Sequence, residues 1–363
     1  MKVLHVLNEL KPSGAETMLR CAAPHWKSHG VGCDILATGA NEGPFADALR
    51  EVGYAIHHLP REPSLGYFRN FRKLVRANGY DVVHQHAEGA SYWFALAAMS
   101  AGARVVRTIH NNFSFEGSLR WRRSLQRRHL AFQGVRHVSI APGVQHNERK
   151  RFGLRSELVL NWVDTSRFSP ISAPERHAAR QKWGFAEDSP VLISLGNCST
   201  VKNHGLVLEA MARLHDFPQL HYLHVGLEGE AGGAERQLAN RLGIADRVVF
   251  AGWLPNVREA LAAADLYVMP SLYEGLGIAA LEALGMGLPA VLARADGLSD
   301  LGPMFDGLMF AELEPESWAA AIRSFFLLDH DARIRLAADY PAIVSERFGP
   351  QRGVREYCSI YQP

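Results

Sequence analysis

Cysteine is scarce in this chain. Four residues of 363 (Cys21, Cys33, Cys198, Cys358) are scattered without a CxxC pair. That pattern excludes a disulfide scaffold, argues against a structural zinc and points to a reducing compartment. Long apolar runs are missing too: none approaches the roughly 20 residues of a membrane-spanning helix. The apolar part of Met1-Lys-Val-Leu-His-Val-Leu-Asn8 is too short for a secretory signal and continues into a strand-like pattern. A cytoplasmic protein is therefore expected. No GxGxxG marks the first strand-to-helix turn, so a nicotinamide cofactor lacks its fingerprint. A net charge of only +2 comes with no expected nucleic-acid partner. With 47% hydrophobic and 21% charged residues, disorder is not expected.

The near-zero charge hides an asymmetry. Residues 1–165 carry 22 Lys/Arg and 13 Asp/Glu; residues 166–363 carry 17 and 24. Such a split fits two units with different partners. Strand-like and helical stretches alternate from residue 2 to 109, with strands at 2–8, 33–38, 54–59, 81–84 and 104–109. Repeated βα units imply a parallel sheet covered by helices, with ligands at the carboxyl ends of the strands. A Pro- and Ser-rich segment after Trp162, to about Pro174, reads as a linker. A second series opens at Pro190–Leu195.

The most informative stretch runs from Met269 to Pro289. An apolar strand, 264–269, feeds the loop Glu274-Gly-Leu-Gly277, and an apolar helix follows from about Ile278 to Met286. Unpaired loop amides and a helix N-terminus make an anion site. Two carboxylates frame it. Glu282 shares its helix face with Ile278, Ala279, Gly285 and Met286. A carboxylate in such company is costly unless something hydrogen-bonds it, and a ribose diol would. A glutamate tipped to solvent is the plainer alternative. The Glu-x7-Glu spacing alone is weak, since about four such pairs arise by chance in this composition.

In its strand–loop–helix setting this stretch resembles the donor motif of retaining GT-B glycosyltransferases, the family 4-like group. Pro-Ser-Leu-Tyr-Glu-Gly, Leu-Glu-Ala and Gly-Leu-Pro carry the resemblance. It implies that Glu274 lies beside the transferred sugar and Glu282 holds the ribose, with Gly275, Leu276 and Gly277 at the phosphates. Ser13-Gly14-Ala15-Glu16 resembles the family's Gly-Gly-Ala-Glu loop, Ser13 replacing the first glycine; Gly14 and Ala15 are then donor-binding. Gly14 can equally be a plain turn residue. Gly196-Asn-Cys-Ser-Thr-Val-Lys202 resembles the diphosphate segment, with Asn197 where an arginine is usual. Asn donates a hydrogen bond but offsets no charge. A helix is expected from about Asn203, placing Lys202 at its start, and Arg294 is named as a substitute cation. Trp253 and Leu254 match the loop beside the base; a loop Trp is as often a packing anchor. Arg294-Ala-Asp-Gly297 stands where the family has Gly-Gly.

His84-x-His86 could bind a metal in principle, but no further ligand cluster appears in the sequence, so no metal is expected. His110 ends a strand where the family has a histidine facing the sugar; the alternative is a loop histidine held by hydrogen bonds. His86, Glu88 and Asn111 are acceptor-side candidates. From Leu119 to Arg155 there are ten Lys/Arg against the single acid Glu148, interleaved with Trp121, Leu125, Leu130 and Phe132. Such a helix can lie on anionic lipid; it can also be a solvated face.

The fold expected is α/β of GT-B architecture: two doubly wound Rossmann-like domains facing across a cleft. Residues 1–165 form the acceptor-side domain and 166–348 the nucleotide-sugar domain, and the helix of 349–363 packs back on the first. The resemblance implies a retaining, metal-independent hexosyltransferase. It would move sugar from a nucleotide diphosphate sugar to a sugar or lipid-linked acceptor in polysaccharide, lipopolysaccharide or glycolipid assembly. It needs no cofactor. The catalytic residues implied are Lys202, Glu274 and His110. A sugar-nucleotide epimerase of the same architecture and a non-catalytic nucleotide-sugar-binding protein are the alternatives.

Overall fold

The computed structural model describes residues 1–62, 64–228 and 233–363. The chain divides into two compact units, Met1–Val163 with Phe348–Pro363, and Asp164–Arg347.

In the first unit seven parallel strands, β1 (Lys2–Leu7), β2 (Gly32–Ala37), β3 (Ala55–His58), β4 (Val82–Gln85), β5 (Arg104–Ile109), β6 (Arg136–Ser139) and β7 (Glu157–Leu158), lie in the order 3-2-1-4-5-6-7. Strand order reverses between β1 and β4, where His5 sits opposite His84. That reversal opens a crevice at the carboxyl ends of the two strands. Near-continuous apolar strands such as Lys2-Val-Leu-His-Val-Leu7 are what a sheet covered on both faces requires. One face packs Val3, Leu7 and Trp26 with Trp162, Tyr357 and Tyr361. The helix Pro350–Tyr361 therefore belongs to this core. The Trp162 indole N–H donates to the Met18 carbonyl at 2.9 Å, which ties the helix Gly14–Ser28 to the end of the unit. The other face packs Leu4, Val6, Phe71, Val83 and Phe94.

The second unit has six parallel strands: β8 (Val191–Leu195), β9 (His221–Val225), β10 (Val248–Phe250), β11 (Leu266–Met269), β12 (Ala290–Ala293) and β13 (Met309–Ala311). Their order is 10-9-8-11-12-13, so its reversal falls between β8 and β11. The chain enters this unit through a turn: the Asp164 carboxylate accepts from the Ser166 and Arg167 amides, both at 3.1 Å. A capped helix, Ala173–Trp183, follows, with the Ser172 hydroxyl accepting from the Glu175 amide.

Candidate functional site

The reversal between β8 and β11 gathers most of the donor residues expected from sequence. The loop after β8 carries Gly196, Asn197 and Lys202; the loop after β11 carries Glu274 to Gly277. The two loops meet where Lys202 Nζ donates to Glu274 Oε1 at 2.6 Å, both side chains being mostly buried. The Leu272 amide also donates to the Val201 carbonyl at 2.8 Å. A cation and a carboxylate 72 residues apart thus form one half-buried pair.

Lys202 does not lie in the first turn of a helix, as expected. The helix runs Gly205–Ala212, and Asn203 interrupts it at a left-handed φ of 53°. Lys202 occupies the preceding turn, so its charge reaches Glu274 without being fixed to the helix axis. Asn197 is committed elsewhere: its side-chain oxygen accepts from the Leu227 amide at 2.9 Å. It fixes the loop after β9, a task an arginine cannot perform because it has no acceptor. Arg294 pairs with Glu312 at 2.8 Å and lies over the Phe310 ring, both charges well exposed. It does not stand in for the absent arginine in this arrangement.

Two glycines let these loops approach. Gly226 has φ 154°, and a Cβ there would lie 2.1 Å from the Gly196 carbonyl oxygen. Gly297 has φ 84°, and its Cβ would lie 2.0 Å from the Glu274 carbonyl oxygen. Neither position admits a side chain. Gly297 is thus a site residue that sequence reasoning undervalued: the altered 294–297 segment presses its backbone on the Glu274 loop, and the Glu274 amide donates to the Asp296 carbonyl at 3.0 Å. Gly229 and Glu230, which come after β9 in the sequence, lie outside the described residues.

Gly277, at φ 74°, precedes the helix Ile278–Gly285. Among the described residues the amides of Gly275, Leu276 and Gly277 have no protein acceptor. They supply the unpaired N–H groups of an anion cradle. Glu282 lies one helical turn further on. It is partly buried and has no hydrogen-bond or ion-pair partner among the described residues. Burial raises its carboxyl to about 7; Arg167 lowers it and Asp164 raises it. A strained carboxylate of this kind is relieved by donors from a ligand. Trp253 is 54% exposed, which rules out the packing-anchor reading. Leu254 beside it is half-buried, and the Gly226 amide donates to the Gly252 carbonyl at 2.9 Å, joining this loop to the one after β9.

In the first unit the reversal between β1 and β4 is built of imidazoles. His5 Nδ1 and His86 Nε2 share a hydrogen bond of 3.1 Å, and His86 Nδ1 and His110 Nε2 one of 3.0 Å. His84 is bonded on both sides, by the Tyr361 hydroxyl at 2.5 Å and the Thr108 hydroxyl at 2.7 Å. Burial holds His5 at about 3, His110 at about 4, and His84 and His86 well below the usual histidine value. The expectation that nothing joins His84 and His86 is corrected: parallel pairing of β1 with β4 brings His5 to them. Glu88 has both carboxylate oxygens taken, by Arg107 and by Arg127 at 3.0 Å. Burial pushes its carboxyl up, but Arg107 and Arg127 outweigh that and hold it below the usual value. Asn111 is exposed after β5. At the helix Gly14–Ser28, Gly14 is exposed and Ala15 half-buried, and the Ser13 hydroxyl donates to the buried Glu16 carboxylate.

A doubly wound unit with a lysine–glutamate pair, open amides and an unsatisfied helix carboxylate at its switch point has the chemistry to hold an anion and a pair of hydroxyls. The profile for Glycosyl transferases group 1 matches residues 175–339, and that for Glycosyltransferase Family 4 matches residues 12–167. The chain belongs to the GT-B, family 4-like glycosyltransferases. It is 28% identical over 309 residues to a putative glycosyltransferase of Bacillus subtilis, EpsF, covering 80% of this chain and 79% of that one. It is 27% identical over 265 residues to the UDP-Gal:alpha-D-GlcNAc-diphosphoundecaprenol alpha-1,3-galactosyltransferase of Escherichia coli, covering 69% and 67%. Its fold matches Anabaena Alr3699/HepE, solved with UDP and glucose, at a TM-score of 0.85 and 22% identity over 99% of both chains.

Proposed function

We propose that this glycosyltransferase moves a hexose from a nucleotide diphosphate sugar to an acceptor hydroxyl, with retention of configuration and without a metal. Breakage of the bond from the anomeric carbon to the phosphate oxygen leaves the electron pair on the diphosphate. The acceptor oxygen forms the new bond to that carbon, and its proton goes to the departing phosphate. Lys202 and the amides of 275–277 offset the charge that develops on the phosphates. Glu274 orients the sugar hydroxyls and keeps Lys202 aimed. Glu282 accepts from the ribose diol, Trp253 and Leu254 flank the base, and His110 hydrogen-bonds a substrate hydroxyl. The observation that carries this reading is Glu282: a partly buried carboxylate that, among the described residues, has no protein partner and lies one helical turn beyond three unpaired amides. A thermal-shift screen of nucleoside diphosphates and their sugars tests it. Stabilisation by one nucleotide, absent in Glu282→Ala, is expected; stabilisation that survives Glu282→Ala contradicts the assignment.

The acceptor proposed is lipid-linked, in polysaccharide, lipopolysaccharide or glycolipid assembly at the cytoplasmic face of a membrane. Two features support this. One is the likeness to a relative whose acceptor is a diphosphoundecaprenol. The other is the helix Gly117–Phe132, where Trp121, Leu125 and Phe132 are 73%, 64% and 88% exposed along one face. Arg120, Arg122 and Arg128 flank that stripe in the open, while Arg127 turns inward to Glu148 at 2.8 Å. Exposed apolar side chains between arginines suit an anionic lipid surface. Sedimentation with vesicles of phosphatidylglycerol at low salt is expected for the wild type and not for Trp121→Glu/Phe132→Glu; equal sedimentation of both removes the stripe from the account.

A further inference from the structure

The chain His5–His86–His110 invites a question that the family relationship does not answer. A neutral imidazole carries one proton and two nitrogens, so it donates on one side and accepts on the other. Two hydrogen bonds in series therefore force all three rings to point the same way. Either every ring carries its proton on Nδ1, and donation runs outward from His5 to His110, or every ring carries it on Nε2, and donation runs inward. The inner end decides. His5 is fully buried, and its Nε2 has no partner among the described residues. Its aromatic neighbours include Trp26, ring centroids 5.8 Å apart, and Tyr54, at 6.5 Å. Neither offers Nε2 a hydrogen bond: indole is a donor only, and the Tyr54 hydroxyl, which donates to the Leu19 carbonyl at 2.7 Å, is not a partner of His5. A proton on His5 Nε2 would be a buried N–H with no acceptor in reach among the described residues. A bare Nε2 is the less costly end, since an orphaned buried N–H is the rarer fault.

We infer that His5 and His86 are positioning residues that set the tautomer of His110, so that this partly exposed ring presents an Nδ1–H to its ligand as a neutral donor rather than a base. The inference rests on the proposed role of His110 in binding a substrate hydroxyl. Burial, which keeps all three rings neutral, maintains the arrangement across the neutral range. A metal centre of His5, His84 and His86, whose nitrogens lie within 4.8 Å of one another, is the competing use of the cluster. It is disfavoured because both His84 nitrogens are held by hydroxyls and the His5–His86 pair already shares a proton. Zinc would have to replace those bonds with contacts of about 2.1 Å.

Nitrogen-15 NMR of histidine-labelled wild-type protein at neutral pH tests this directly, since protonated and bare ring nitrogens resonate far apart. His5, His86 and His110 are each expected to carry the proton on Nδ1; a proton on His110 Nε2 overturns the inference. This arm needs no turnover, so it stands apart from the glycosyltransfer reading. Where turnover is available, His110→Asn keeps an N–H bonded to Cγ, as Nδ1 is, and should retain most of kcat, whereas His110→Gln should not. His5→Phe should lower kcat about fivefold with donor KM unchanged, and should add less than twofold in the His110→Asn background. Equal loss in both backgrounds marks His5 as merely structural and overturns the inference. Calorimetric titration with zinc chloride should show no stoichiometric binding; binding that His5→Phe abolishes makes the cluster a metal site instead. Should His5→Phe fail to fold, the wild-type spectrum decides alone.

Discussion

The two units repeat one topology and treat it differently. In each, strand order reverses beside a central strand, between β1 and β4 in one and β8 and β11 in the other. The first reversal is filled with neutral imidazoles that hydrogen-bond one another or the Tyr361 and Thr108 hydroxyls. The second carries opposite charges, open amides and a carboxylate that finds no partner. Topology thus says where a ligand can enter, and side-chain chemistry says what it is. The self-satisfied switch point suits uncharged hydroxyls; the unsatisfied one suits a nucleotide's phosphates and diol.

That contrast can be broken most sharply at Lys202. Lys202→Ala should lower kcat by about 100-fold or more, the usual scale for losing one group that stabilises developing charge. Lys73→Ala, an exposed change in the first unit, should leave it within about twofold. A similar loss in both would remove the electrostatic distinction.

Glu282→Gln comes next, and should move binding and stability in opposite directions. Nucleotide affinity should fall about tenfold as charge-assisted bonds to the diol are lost. The ligand-free protein should gain stability at pH 8, by at most about 3 kcal/mol for a carboxyl raised from 4.5 to about 7. Chemical denaturation with and without nucleotide checks both. Loss of stability on this substitution would mean that a protein group already satisfies Glu282.

Acid should act on Glu282 and on the His5–His110 cluster with opposite sign. Glu282 has a folded pKa above its unfolded value, so the native state holds the extra proton between about 4.5 and 7. Its contribution to stability rises as pH falls through that window and is lost as pH rises through 7. His5 and His110 have folded values of about 3 and 4, below their unfolded 6.5. Their contribution is present above 6.5 and is lost as pH falls below it. Hydrogen exchange should therefore show β1 and β4 losing protection as pH drops from 7 to about 5. Nucleotide affinity should weaken over the same range as Glu282 is protonated. The smallest effect concerns the exposed stripe: Trp121→Ala should change stability by less than about 0.5 kcal/mol while lowering vesicle binding, since the side chain meets little but solvent.

Much of the second switch point was legible in the sequence because its signals are local. The strand 264–269, the glycines at 275 and 277 and an acid within an apolar helix all lie in one short stretch. The ends of most strands fell within two residues of expectation, since buried parallel strands are short continuous apolar runs. The two- and three-residue strands β7 and β13 have too few residues to show a pattern. What escaped needed register or exact backbone. His5 is one apolar-strand residue among others until parallel pairing sets it opposite His84, 79 positions away. The left-handed turn at Asn203, which moves Lys202 off its helix, has no sequence signature. The close passage of Gly297 over Glu274 could have been suspected from a glycine after a strand, but its partner could not. Arg294 looked available in the sequence because Glu312, its partner, lies on the far side of β13.

The most direct measurement is calorimetric titration of nucleoside diphosphates into wild-type, Lys202→Ala and Glu282→Gln protein at pH 8. One site per chain is expected, weakened about tenfold by either substitution and unchanged by Trp121→Ala. Equal affinity in all four proteins would place the nucleotide away from the β8–β11 switch point and contradict the account.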